Sequence, residues 1–502
     1  MKFYQKITFS LLMIGITVYH ILTLSISPIV WTDEVCLNSM TIDFLNHHTY
    51  YFTADPIWSE GKQALIYGPV YFFLNSKIIS LLGNSIFTAR LLSMFSGLIV
   101  LIWFFFQANK NEDKKYLLPV FIAFLCDLFY GACMHNSRMD LTAMMFFLLG
   151  INSLMLSRNK GENQYLFSII SGVLFSAALL TTPRIALFSL ALLPLLFQKF
   201  YIRNFLSIEI KSYIIIISIV IISFLSWIFY SFGSIESYRE YFLFVYNYSP
   251  SHNDGKIKIA TENLVLFSIT ATSVFIATLL SRKFILNAKV LFCIIWVLSF
   301  YLFIRDVGPY AIFVIPMYYL LVFQSLEEIA QHYKIKPVSY VLISILLVSN
   351  IGIFCLKSFT LYGQASARNY MIVNNFIKEN IPSGAKVCGD ELYYYAALNN
   401  NNPFVLMKSY QGNDNKQSKF KSIYEKVEQN RRVDFNYDYL IVSDRISNRI
   451  SSLTALYLNN SKLIKMAEYH TQPSPLLKWL SDKKLYSASS EYSGIIFKRI
   501  KN

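Results

Sequence analysis

Two adjacent carboxylates, Asp33 and Glu34, stand in the run Trp31-Thr32-Asp33-Glu34 at the end of a long uncharged stretch. A carboxylate there can act as a general base, and it can equally cap the helix that follows. Leu37, Met40, Thr41, Phe44 and Leu45 come next at the spacing of one apolar helix face, which predicts a helix lying on a membrane surface. Capping and catalysis are compatible, and both readings stand. A second group is cationic. Arg138 lies in His135-Asn136-Ser137-Arg138-Met139-Asp140, Arg184 follows Thr181-Thr182-Pro183, Arg305 precedes Asp306, and Arg239 lies in a later loop. A guanidinium suits phosphate, which it holds through two parallel hydrogen bonds. Each arginine alone could instead meet a lipid headgroup or pair locally, Arg138 with Asp140 and Arg305 with Asp306. Taken together, the carboxylates and arginines describe a site for a lipid-phosphate substrate. The natural reaction is attack by a hydroxyl on a sugar carbon whose leaving group is the lipid's phosphate, with a carboxylate as base and cations stabilising the departing charge.

The elements that must hold these groups are membrane spans. Of 502 residues, 55% are hydrophobic and 15% charged, against roughly 45–50% and about 25% in soluble domains. That balance excludes a soluble cytosolic enzyme. The net charge of +15 is spread along the chain rather than gathered on one basic stripe, so nucleic acid is not an expected partner. The six cysteines are expected to pack, not to crosslink. A bilayer core needs about 20 apolar residues per helix. Uncharged stretches of suitable length lie between Lys6 and Asp33, and at 91–109, 141–157, 163–183, 185–198, 212–235, 263–281, 290–304, 307–326 and 337–356; 116–134 is broken only by Asp127. These make eleven candidate spans.

Residues 66–82 would be a twelfth, and including them inverts every later loop. Without them, fifteen Lys and Arg fall on the N-terminal side of the short loops and eight on the other. Positive charge favours the cytoplasm, so 66–82 reads as an interfacial helix stopped by Gly83, with Tyr67, Tyr71, Phe72 and Phe73 at headgroup depth. The amino terminus is then cytoplasmic, and the first loop, about 31–85, is exterior, as is the tail 357–502. The tail carries twenty-one Lys or Arg against twelve Asp or Glu and no run long enough to span. An amphipathic segment from Asn369, a Pro-Ser-Gly turn, a short strand at Lys386 to Cys388 and a β-rich run Tyr437 to Ser443 predict a small α/β domain.

Other signals carry less. His47-His48 lacks a third ligand at a recognisable spacing. His20 reads as a packed helix histidine, and His135 as either a turn residue or a substrate contact. No Gly-rich nucleotide loop is present in the sequence.

Several short motifs occur in a telling order. Asp33-Glu34 follows the first span, then come Tyr67-Gly68-Pro69-Val70-Tyr71, Leu82-Gly83-Asn84-Ser85, Ala89-Arg90-Leu91-Leu92-Ser93, Ser137-Arg138-Met139-Asp140, Thr181-Thr182-Pro183-Arg184, and Pro309-Tyr310-Ala311 to Pro316. This order resembles the membrane glycosyltransferases of the GT-C fold, in particular the dolichyl-phosphate-mannose protein mannosyltransferase-like group, which includes the bacterial aminoarabinose transferases acting on lipid A. The likeness covers most of 1–330, and Ile381-Pro382-Ser383-Gly384-Ala385-Lys386 looks like the start of that group's exterior domain. Gly68-Pro69 stands where Pro-Pro is usual, and Arg184 follows the proline where a lysine often precedes it.

The resemblance implies an inverting transferase using a polyprenyl-phosphate sugar, with Asp33 as the base and Glu34 as a substrate or metal contact. A divalent metal ion is the one cofactor it leaves open. The expectation is therefore an all-α polytopic membrane protein of about eleven spans (1–356) with a small exterior α/β domain (357–502). It would pass a sugar from the lipid-linked donor to a hydroxyl of lipid A, another glycan or a protein. Arg138, Arg184 and Arg305 would contact phosphate or sugar, Asp140 would orient them, and Tyr67 and Arg90 would line the cleft. The rival readings are a lipid-linked glycan transporter, which should place its charges near the bilayer midplane and often shows repeats, and a non-catalytic scaffold.

Overall fold

A computed structural model describes residues 3–54, 67–108, 115–157, 163–197, 208–248, 264–304, 309–406, 437–443, 462–470, 475 and 493–500. The early helices are α1 (Phe3–Thr23), α2 (Thr32–His47), α3 (Pro69–Leu82), α4 (Ile86–Ala108), α5 (Leu117–Leu125), α6 (Leu128–Met134) and α7 (Asp140–Ser157). Each of the eleven uncharged stretches is helical. Among the described residues, six helices are long and apolar enough to cross a membrane, or seven if the bent pair α5 and α6 forms one span. The other four stretches form shorter apolar helices, Gln164–Leu179, Pro183–Leu195, Leu264–Leu280 and Ala288–Phe303. In α1, Leu11, Ile14, Val18 and Leu22 are exposed along one face while Ile16 and His20 are buried. That polarity is inverted relative to a soluble helix and fits lipid contact.

The break at Asp127 has a specific cause. α5 and α6 meet at 56°, where the Asp127 carboxylate caps α6 by accepting the Tyr130 N–H at 2.8 Å. Its other oxygen accepts the Tyr319 hydroxyl at 2.8 Å. A capping carboxylate satisfies the backbone groups that a broken span exposes.

By its internal contacts the chain divides into two compact units. The first comprises Met1–His20, Leu65–Tyr71 and Ser93–Cys355, and holds most of the apolar helices. The second comprises Ile21–Ala64, Phe72–Leu92 and Leu356–Asn502. The tail is thus grouped with the first loop rather than standing alone. The physical reason is a set of long-range bonds: Arg368 donates to the Ile26 carbonyl at 3.0 Å, Asn38 Nδ2 donates to the Tyr394 hydroxyl at 3.4 Å, and the Leu406 N–H donates to the Ala54 carbonyl at 2.8 Å.

The tail's sheet has five strands, β1 (Val387–Gly389), β2 (Phe404–Leu406), β3 (Tyr439–Ser443), β4 (Lys462–Tyr469) and β5 (Gly494–Ile500), ordered β2-β1-β3-β5-β4. β1 is parallel to β2 and β3, while β5 runs antiparallel to β3 and β4. β1, β2 and β3 are buried throughout, as parallel strands covered on both faces must be. All six cysteines are free. Cys355 is exposed and Cys126 half-buried, so not all six pack as expected; Cys355 lies on a long apolar helix and Cys126 closes α5.

Candidate active site

In the second unit, α2 begins one residue before Asp33, and Asp33 and Glu34 are its first-turn acids. Trp31 occupies the cap position without a side-chain cap bond. The two carboxylates then part company. Asp33 is exposed, whereas Glu34 is fully buried. Arg90, near the start of α4, reaches Glu34 through two parallel bonds, Nε to Oε1 at 2.6 Å and Nη2 to Oε2 at 2.8 Å. Its Nη1 donates to the Leu24 carbonyl at 2.8 Å. Both side chains of this pair are 0% exposed. A bidentate pair with further bonds is what a charge removed from water requires.

α2 is also more buried than one apolar face predicts, because residues 34–41 are all enclosed while Phe44 and Leu45 are only half-buried. Tyr395, from the tail, is fully buried close enough to Glu34 and Arg90 to feel their charges. Burial first, then the Glu34 carboxylate, holds its phenol well above the ordinary range. Further along α2, the buried Asp43 accepts the Thr49 hydroxyl at 2.6 Å and the Tyr51 N–H at 2.9 Å, and His47 sits beside it at 3.2 Å. Asp43 therefore ties down the loop after the helix, and Gly83, at φ +80°, stops α3 as expected.

The first unit holds the arginines. Arg138 Nε donates to Asp140 Oδ2 at 2.8 Å, with both residues buried. The turn that carries Arg138 is fastened on three sides. Ser93 donates to the Arg138 carbonyl at 2.8 Å, Ser137 shares a hydrogen bond with the Tyr71 hydroxyl at 3.2 Å, and buried His135 Nε2 lies 2.7 Å from His20 Nδ1. His135 is thus the closing residue of α6. Arg184 opens the tight 3-10 segment Pro183–Ala191. Its guanidinium lies 4.5 Å from the ring centre of Tyr310 and 5.7 Å from that of Tyr67, while Arg138 lies 5.1 Å from Tyr310. Two cations that would otherwise repel are carried by aromatic faces, each contact contributing about 0.5–2 kcal/mol. The Tyr67 hydroxyl bonds Arg184, and the Asp140 charge reaches it.

Gly68 explains how Tyr67 arrives there. A Cβ at position 68 would lie 2.0 Å from the Leu180 carbonyl oxygen, which also accepts the Val70 N–H at 3.2 Å. Only glycine permits that approach, so the Gly68-Pro69 variant of the motif has a steric cause.

Of the residues singled out in the sequence, Arg138, Asp140, Arg184 and Tyr67 come together in the first unit, and Asp33, Glu34 and Arg90 in the second. Arg239 lies exposed on the helix Ile235–Tyr248 rather than in a loop. Arg305 lies outside the described residues. Tyr310 lies within one of the sequence motifs, but its role as platform has no local signal; Tyr395 has none at all. As for a divalent ion, both Glu34 oxygens are engaged by Arg90, and among the described residues no group of three or more His, Cys, Asp or Glu could hold a metal. The described residues do not fit a resident metal.

No family model matches the sequence, and no curated protein matches it. Solved structures do match. ArnT from Cupriavidus metallidurans, in a crystal structure bound to undecaprenyl phosphate, is similar over 98% of both chains at 11% identity with a TM-score of 0.60. Its apo form gives a TM-score of 0.61 over the same shares. The Archaeoglobus fulgidus oligosaccharyltransferase AglB, in complex with an inhibitory peptide and a dolichol-phosphate, is similar over 91% of this chain and 72% of its own at 11% identity and a TM-score of 0.52. At such identity the likeness is one of backbone architecture, and it identifies this chain as a polytopic membrane protein of the GT-C fold.

Proposed function

We propose that this protein is a membrane glycosyltransferase that takes a sugar from a polyprenyl-phosphate donor and passes it, with inversion, to a hydroxyl of a lipid, glycan or protein acceptor. The observation that carries the reading is the meeting of Arg138 and Arg184, from separate turns, on the ring of Tyr310. That ring gathers an arginine pair, with the Asp140 carboxylate bonded to Arg138 and its charge reaching Arg184. An anion of phosphate chemistry suits the pair. The fold shared with a protein crystallised with undecaprenyl phosphate supports the same substrate class.

In this reading Asp33, exposed at the head of α2, takes the proton of the acceptor hydroxyl. The acceptor oxygen bonds the anomeric carbon as the bond from that carbon to the phosphate oxygen breaks. The electron pair leaves on the lipid phosphate, and Arg138 and Arg184 stabilise the added charge. Glu34 acts indirectly, holding Arg90 and so fixing the helix that bears Asp33. The amino terminus is cytoplasmic and the first loop and tail are exterior, as the distribution of Lys and Arg favours.

Mass spectrometry of the cell envelope, with and without the protein, should show one envelope molecule losing the mass of one sugar. Asp33→Asn protein should insert normally, keep its Tm and fail to restore that mass. Restoration at the normal rate would refute Asp33 as base and favour a carrier or scaffold. Cytosol-only labelling of a cysteine placed at position 33 in intact cells would overturn the orientation.

A further inference from the structure

The two turns that carry Arg138 and Arg184 each hold a buried oxygen left without a partner among the described residues. Asp140 gives one oxygen to Arg138, and its second, Oδ1, is buried with no hydrogen-bond partner among the described residues. Thr182, two residues before Arg184 and 0% exposed, has an Oγ1 in the same condition, and it does not cap the 3-10 segment it precedes. Asp140 itself is 2% exposed. Buried oxygens of this kind are rare in a settled core and call for a donor that arrives later.

We infer that Asp140 Oδ1 and Thr182 Oγ1 receive the hydroxyl next to the anomeric carbon of the donor sugar, making these two residues determinants of sugar specificity. The inference rests on the transferase reading above. Its geometry follows from the donor's covalent structure. The sugar is tied to its phosphate through the anomeric oxygen, so with the phosphate on Arg138 and Arg184 the substituent on carbon 2 is the first that neighbouring acceptors can meet. Charge points to a neutral donor group. Asp140 is already balanced by Arg138, so a hydroxyl suits its free oxygen better than an ammonium would. Hydrogen bonds to this hydroxyl are also those that strengthen as an anomeric centre becomes electron-poor.

Thr182→Val is the informative variant, because it keeps shape and removes only the hydroxyl. Deleting a buried, unpaired hydroxyl should leave the Tm of the free protein unchanged or raised. Its kcat/KM with a polyprenyl-phosphate hexose should fall at least tenfold. With the 2-deoxy analogue of that donor, wild type and Thr182→Val should become equal, since the bond is absent from both. Asp140→Asn should lose more on the parent donor and keep part of that loss on the 2-deoxy donor, because it also removes the charge that pairs with Arg138. Equal kcat/KM of wild type and Thr182→Val on the parent hexose, or a tenfold loss that persists on the 2-deoxy donor, would overturn the assignment while leaving the transferase reading intact. A wild-type protein that transfers neither sugar removes that reading, and this assignment with it.

Discussion

Glu34–Arg90 in one unit and the Arg138–Tyr310–Arg184 cluster in the other use the same guanidinium group to opposite ends. In the first, a carboxylate takes two of the arginine's donors and a backbone carbonyl a third, so the charge is consumed within the fold. In the second, an aromatic ring supports two guanidiniums and one carboxylate oxygen meets one of them, so on the proposed reading the pair can turn its charge to a ligand. An arginine's type therefore says little about its task. What decides it is whether the partner is a bidentate anion or a ring that leaves the charge intact.

The contrast is broken most severely at its buried end. Glu34→Gln would leave the Arg90 charge enclosed without a counter-charge, and chemical denaturation of the purified protein should show a loss of about 3–5 kcal/mol. Retained stability would mean that Arg90 too has charge to spare for substrate. At the other end, Arg184→Gln should weaken donor use about tenfold or more, roughly 1.4 kcal/mol, with little change in Tm. The loss should shrink as salt is raised, because a partly exposed cation is screened. A large fall in Tm with unchanged KM would reverse the two roles.

The smallest expected effect tests the second unit by pH. Asp390 is buried and accepts the Ser443 hydroxyl at 2.7 Å, but burial and the neighbouring Glu391 charge push its carboxyl up to about 7. A group whose folded pKa is raised binds its proton more tightly in the native state, so stability is fullest in the ordinary carboxylate range and falls as pH rises toward about 7. Asp390→Asn should flatten that slope in pH-dependent melting of the second unit, and leave the donor KM alone.

Much of this was legible before any coordinates. Uncharged stretches mark the helices because a bilayer selects length and apolarity directly, and Gly83 and the β-rich run ending at Ser443 have local causes. Arg138 with Asp140 could be read as a pair because only Met139 separates them. The bond between Glu34 and Arg90 spans 56 positions, that between His20 and His135 spans 115, and no periodicity encodes either. In the sequence Asp127 looks like an interruption near one end of a span, and in the structure it is the cap at which the span bends. Asp33 and Glu34 look alike in a sequence; only burial distinguishes the exposed acid from the enclosed one.

One bond across the chain sets a clock on assembly. Asn38, in the helix that presents Asp33, leans on Tyr394, which is translated 356 residues later. At common ribosome speeds that interval is on the order of tens of seconds. During it the helix that bears Asp33 lacks its contact with the tail, so the second unit cannot complete its packing until the last residues have emerged.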